Sequence, residues 1–208
     1  YNADGGEAEM CGNGARCFGN FAAALLHHDK TAPLPFETMA GVVTATFEKD
    51  GNVTVNLTNP HSMQLFVLNA DPTVGADVHF LNTGVPHAVA FLDKLEDLDI
   101  SRLGAYLRYH EAFSPKGTNA NFARILSPGH IAIRTYERGV EDETLACGTG
   151  MTACALLHAV WADAPSPIQV DVAGGDTLKV GFQRTGDRFT DVTLTGPADL
   201  VFTGDIQI

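Results

Sequence analysis

The chain has 208 residues, 45% of them hydrophobic and 18% charged. That suits a folded protein of one large domain or two small ones and excludes a disordered chain. Lysine and arginine number 13 against 25 aspartates and glutamates, a net charge of −12, and no basic run occurs, so nucleic acid and anionic membranes are poor partners. No apolar run approaches the roughly 18 residues of a spanning helix, and no signal peptide is visible.

In chain order, residues 9–17 read E-M-C-G-N-G-A-R-C and open a helix in which Phe18, Phe21, Ala22, Leu25 and Leu26 recur at helical spacing. Strands are predicted over 42–47 and 53–57, flanking the hairpin signal Lys49-Asp50-Gly51-Asn52. Thr58-Asn59-Pro60 marks a boundary near residues 58–62. Strands over 63–68 and 86–92 follow, then a helix near 99–110 with Leu103 and Leu107 on one face, then strands over 120–126 and 130–136. Residues 145–153 read L-A-C-G-T-G-M-T-A and run into a helix that is apolar on nearly all sides over 151–161, the mark of a buried helix. Strands over 168–172, 177–183 and 189–195 complete the chain.

The most informative feature is the repeat. Cys-Gly-polar-Gly occurs twice, at Cys11 and at Cys147, each time after acidic residues and each time opening a helix. A helix N-terminus presents unpaired N–H groups and a partial positive charge. It binds carboxylates and favours a thiolate, and the glycines let a ligand approach the backbone. Two such ends facing across a cleft would hold one carboxylate between them, with a sulfur on each face of the α-carbon. One thiolate removes the proton and the opposite thiol returns one, which inverts the centre. A bland alternative makes Cys11 and Cys147 small buried residues at helix caps. Cys17 and Cys154, further into the apolar helices, read as packing residues. The four cysteines contain no C-x-x-C, so neither a zinc knuckle nor a thioredoxin-type pair is indicated. Four are few for a disulfide scaffold, and the cytoplasm is the expected location.

The segments Y-N-A-D-G-G-E-A-E-M-C-G-N-G-A-R-C, residues 1–17, and Y-E-R-G-V-E-D-E-T-L-A-C-G-T-G, residues 136–150, resemble the two signatures of the diaminopimelate epimerases. The resemblance covers essentially the whole chain. It implies an α/β (α+β) fold of two pseudo-symmetric halves, each a barrel-like mixed or antiparallel sheet around a central buried helix. The first half would comprise residues 1–58 plus 197–208, the last strand returning to it. The second would comprise 59–196, with the active site in the cleft between them. The implied activity is conversion of L,L- to meso-diaminopimelate in lysine and peptidoglycan-precursor synthesis, without pyridoxal phosphate or any other cofactor and without a metal, by an enzyme that often forms homodimers.

Residue by residue, the resemblance makes Cys11 and Cys147 the catalytic pair and adds to the catalytic set His87, close to the thiols, and Glu137. Gly12, Asn13, Gly148 and Thr149 supply backbone donors to the reacting carboxylate. Asn2, Asn119 and Arg138 bind the distal carboxylate, and Glu137 receives the distal ammonium near the active site. Two departures stand out. Val85 occupies a position where many members carry Asn, and about seventy residues that members carry before the first signature are not in this sequence. A proline or hydroxyproline racemase is the alternative enzyme, and a redox or metal-binding cysteine protein, or an inactive fragment, the non-enzymatic one.

Overall fold

The computed structural model describes Gly5 and residues 10–205. Asn2, and with it one candidate substrate ligand, lies outside the described residues.

Three helices carry the architecture: α1, Gly12–Leu25; α2, Ile100–Arg108; and α3, Gly148–Ala162. The strands are β1 Leu34–Thr38, β2 Gly41–Phe47, β3 Val53–Asn56, β4 His61–Asp71, β5 Ala76–Asn82 and β6 Pro86–Phe91. They continue as β7 Asn119–Ser127, β8 His130–Glu137, β9 Asp142–Thr144, β10 Ile168–Asp171, β11 Thr177–Thr185 and β12 Arg188–Gly196. All join one sheet in the order β1-β2-β3-β12-β11-β10-β8-β7-β6-β5-β4, with β9 added beside β8. This is a mixed α/β fold whose sheet is mostly antiparallel. Its two parallel pairs are β6–β7 and β8–β10. Parallel neighbours need a crossover, and helices supply both: α2 between β6 and β7, α3 between β8 and β10.

The sheet curls around α3, which touches β5, β6, β7, β8, β10, β11 and β12. Every residue from Gly148 to Ala159 is buried, as an apolar helix without a polar face requires. Met151, Leu156 and Leu157 form the centre of the main core, which runs on into Val43, Val55 and Leu57 of the first strands and into Leu178 and Leu194. A second core lies under α2, where Ile100, Leu103 and Leu107 meet Phe122 and Tyr136. Asp99 caps α2 by accepting from the Arg102 amide.

α1 behaves differently. It lies on β1, β2 and β3 through Gly12, Ala15, Arg16, Gly19 and Ala23. The apolar stripe evident in the sequence faces the other way: Phe18, Phe21, Leu25 and Leu26 are exposed, Leu25 by 66%. The small residues are what let the helix approach the sheet, since a Cβ on Gly19 would come within 2.6 Å of the Ala45 methyl. Cys17 shares the open face and is exposed, contrary to its reading as a packing residue, while Cys154 is buried. Residues 197–205 carry no strand, where a returning last strand was expected. Pro197 and Ala198 instead cross α1, accepting hydrogen bonds from Arg16 and Asn20. β1, β5 and β9 were not anticipated. Among the described residues no helix is long and apolar enough to cross a membrane.

Candidate active site

Both Cys-Gly-x-Gly motifs form helix starts. Cys11 is the N-cap residue of α1 and Cys147 that of α3, both in extended backbone. The two starts abut: a Cβ on Gly148 would lie 3.2 Å from the Gly12 Cα and 3.4 Å from its nitrogen. Neither position has room for a side chain, because Leu194 closes the remaining space at 2.8 and 3.0 Å. Two sets of unpaired helix N–H groups therefore converge on one place. The motifs match in finer detail too. In each, a Cβ on the glycine three residues after the cysteine would lie against that cysteine's sulfur, at 3.4 Å for Gly14 and 3.3 Å for Gly150.

The thiols differ in surroundings. Cys11 is exposed, and its sulfur accepts from the Gly14 amide at 3.3 Å. Cys147 is buried; burial, and then the negative charge of Glu137, push its thiol up to about 12, while Thr149 pulls the other way with its hydroxyl 3.6 Å from the sulfur. At neutral pH Cys147 is therefore protonated.

The other predicted residues gather on the Cys147 side. Glu137 ends β8 and accepts from the Thr144 hydroxyl at 3.0 Å. Arg138 follows it and lines a pocket of about 380 Å³ with Lys116, Gln64, Asn82, Gly84 and Pro86. Asn119 is almost fully buried. Its amide donates to the Pro86 carbonyl at 2.9 Å, and its oxygen accepts from the Arg138 amide at 2.8 Å. It thus fixes the backbone of Arg138, and its second amide N–H has no partner among the described residues. Gly84 connects this pocket to the first motif, its Cβ position lying 3.8 Å from the Met10 side chain. Cys11 and Met10 line a second hollow of about 260 Å³ with Gly14, Phe18 and Phe36.

His87 is fully buried, and desolvation, with the Arg138 charge adding to it, lowers its pKa to about 3. Its tautomer follows from Asn121. The Asn121 oxygen accepts from Thr135 at 3.0 Å, so the amide nitrogen donates both to the Ala88 carbonyl at 2.9 Å and to His87 Nδ1 at 3.2 Å. Nδ1 is the acceptor and the proton sits on Nε2, which has no partner among the described residues. His87 is a neutral N–H donor, not an acid–base group at neutral pH.

Three supports lie outside the set of site residues that the sequence named. Thr83 donates to the Thr149 carbonyl at 2.9 Å and pins the first turn of α3. Asn121 sits directly beneath Gly150, where a Cβ would collide with its oxygen. Arg16 bonds the Asn13 side chain; an arginine inside a helix-opening motif was the available signal. Among the described residues no group of three or more His, Cys, Asp or Glu is gathered to hold a metal ion.

Solved structures share this fold. A Bacillus anthracis phenazine biosynthesis protein of the PhzF family superposes with a TM-score of 0.65 at 14% identity, over 92% of this chain and 74% of that one. A hydroxyproline epimerase from Agrobacterium vitis gives 0.58 at 20% identity, over 80% of this chain and 56% of that one. The architecture is that of these proteins. By sequence the match is narrower. A family model described as diaminopimelate epimerase matches residues 1–63 and 79–201. The diaminopimelate epimerase of Hydrogenobaculum sp. (strain Y04AAS1) is 43% identical over 98% of this chain and 72% of its own length. That of Aquifex aeolicus (strain VF5) is 42% identical over 100% of this chain and 73% of its own. The chain is an isomerase, and it belongs to the diaminopimelate epimerase family.

Proposed function

We propose that this chain interconverts L,L- and meso-diaminopimelate by moving a proton between Cys11 and Cys147, within lysine and peptidoglycan-precursor synthesis, as a cytoplasmic homodimer. The observation that carries the reading is the convergence of two cysteine-capped helix starts through Gly12 and Gly148.

The reacting carboxylate lies at the shared helix ends, where the backbone amides of Gly12, Asn13, Gly148 and Thr149 receive it. Its oxygens gain charge as the α-carbon loses its proton, and fixed donors stabilise that charge most strongly in the transition state. Cys147 rests as a thiol, which leaves Cys11 as the base of the resting pair. The Cys11 thiolate takes the α-proton, and the Cys147 S–H gives its proton to the opposite face of the same carbon. The pair ends with Cys11 protonated and Cys147 as thiolate, its reverse-direction state, so it holds one negative charge and one proton before and after turnover, the charge resting on the substrate in between. Glu137 helps keep Cys147 protonated and meets the distal ammonium. Arg138, Asn119 and Asn2 meet the distal carboxylate, Arg138 with a fork that matches it bidentately. His87 contributes a neutral N–H. The site lies between a first half of residues 1–58 plus 197–208 and a second of 59–196.

The test is proton NMR of L,L-diaminopimelate in D₂O under reducing conditions with the chain, Cys11→Ser and Cys147→Ser. Loss of the α-proton signal with the parent chain and little or none with either variant is the expected result. Exchange of free proline instead of diaminopimelate would move the assignment to a proline racemase.

A further inference from the structure

Arg16 lies within α1, five residues beyond Cys11, and is only 5% exposed. No carboxylate forms an ion pair with it among the described residues. A buried cation is expensive, and Arg16 also gives up hydrophobic area on the face of α1 that meets the sheet. Its hydrogen bonds are specific. Nη1 donates to the Asn13 side-chain oxygen at 3.1 Å, and Nε to the Pro197 carbonyl at 3.4 Å. Because a guanidinium only donates, the Asn13 oxygen must face it, and the Asn13 amide nitrogen must face the other way. It donates to the Ala146 carbonyl at 3.0 Å. Ala146 immediately precedes Cys147. Among the described residues it is the one side-chain hydrogen bond between the two motifs.

We infer that Arg16 is a positioning residue for the reaction: it turns the Asn13 amide onto the Ala146 carbonyl, setting Cys11 against Cys147, and holds a buried positive charge on α1, five residues from Cys11. This rests on the two-thiol reading above. The thiol pair and the α-carbon between them together carry one negative charge through turnover, and a fixed cation in a poorly solvated place offsets it without reorganising. Burial pushes the Arg16 guanidinium below its ordinary range, and the Cys17 and Cys11 sulfurs, then Asp176, pull it back. Pro197, at the end of β12, anchors the outer end of the tether, so the thiol alignment is tied to the sheet and not to α1 alone.

The experiment compares Arg16→Met, Arg16→Lys and Asn13→Ala in the full chain by two readouts. The first is kcat and KM for diaminopimelate. The second is the rate of iodoacetamide labelling of Cys11 at pH 7, assigned by peptide mass, which needs no substrate. Arg16→Met is expected to lower kcat at least 100-fold with KM within threefold, and to slow Cys11 labelling at least fivefold. Arg16→Lys keeps the charge and restores labelling to within twofold, but leaves kcat at least tenfold down because a lysine cannot hold both Asn13 and Pro197. Asn13→Ala lowers kcat with labelling unchanged. If Arg16→Met does not fold, Arg16→Gln, which keeps side-chain donors but not the charge, replaces it in both readouts with the same expected result. Folded Arg16 variants with parental kcat and labelling overturn the inference. If the parent chain leaves diaminopimelate unchanged yet Arg16→Met still slows labelling, the substrate assignment fails and the cation beside Cys11 stands.

Discussion

α1 and α3 begin with the same four-residue pattern and have opposite fates. α3 is wrapped by seven strands and buried over its first twelve residues. α1 rests on three strands through small residues and turns Phe18, Phe21, Leu25 and Leu26 outward. The cysteines inherit that difference: Cys147 is a buried thiol and Cys11 an exposed one. A repeated motif thus fixes what the backbone does at a helix start, and the surrounding sheet decides how each sulfur behaves.

The largest effect should come from the core. Leu156→Ala in α3 is expected to cost about 2–5 kcal/mol, as cavity-forming substitutions do. Leu25→Ala in α1 should change stability by less than about 0.5 kcal/mol. Urea unfolding of the pair checks both, and equal losses would break the contrast between the helices.

Next come the matched glycines. Gly150→Ala drives a methyl into the Asn121 oxygen, which is held by Thr135, and should cost about 1–3 kcal/mol. Gly14→Ala meets only its own cysteine at 3.4 Å on an exposed face, and should leave stability unchanged or raise it by up to about 1 kcal/mol through helix propensity. Thermal melts of the two variants would expose any hidden crowding at Gly14.

His87 sharpens the comparison through pH. Its folded pKa of about 3 lies below the unfolded value, so between about pH 6.5 and 3 the unfolded chain binds a proton that the folded chain excludes. Stability therefore falls as pH falls, by about 1.4 kcal/mol per unit from this group. Between pH 6.5 and 5 the parent chain should lose about 2 kcal/mol more than His87→Gln, measured by urea titration. A parallel loss in both would mean that the ring is protonated in the fold.

The smallest and quickest effect is chemical. Iodoacetamide at pH 7.5 should label Cys11 at least tenfold faster than Cys147, and unfolding in urea should abolish the difference. Mass mapping of a time course reads this directly.

Much of this was legible in the sequence, and the reasons for the rest are physical. The two cysteine motifs, the buried α3, α2 and nine strands all follow from glycine pattern and apolar period. β5 was hidden because Asp77 and His79 interrupt its apolar run, although His79 is almost fully buried. β1 carries Pro35 and spans five residues, and β9 is three residues with two acids. Periodicity located the stripe on α1 but says nothing about what covers it. The family signature marked His87, whereas its neutral tautomer depends on Asn121, 34 residues away. Arg16 was visible in the motif, yet its role lies in a bond to Asn13 and a carbonyl 133 residues further along.

The contact between Gly12 and Gly148 also bears on the empty protein. Two helix starts meeting through bare backbone bring two partial positive charges together, and like charges at close range oppose folding. An anion between them removes that repulsion. A bound carboxylate should therefore act as a keystone, raising the melting temperature with its concentration by mass action, and any small carboxylate that fits should do so whether or not it carries a hydrogen that the thiols can take.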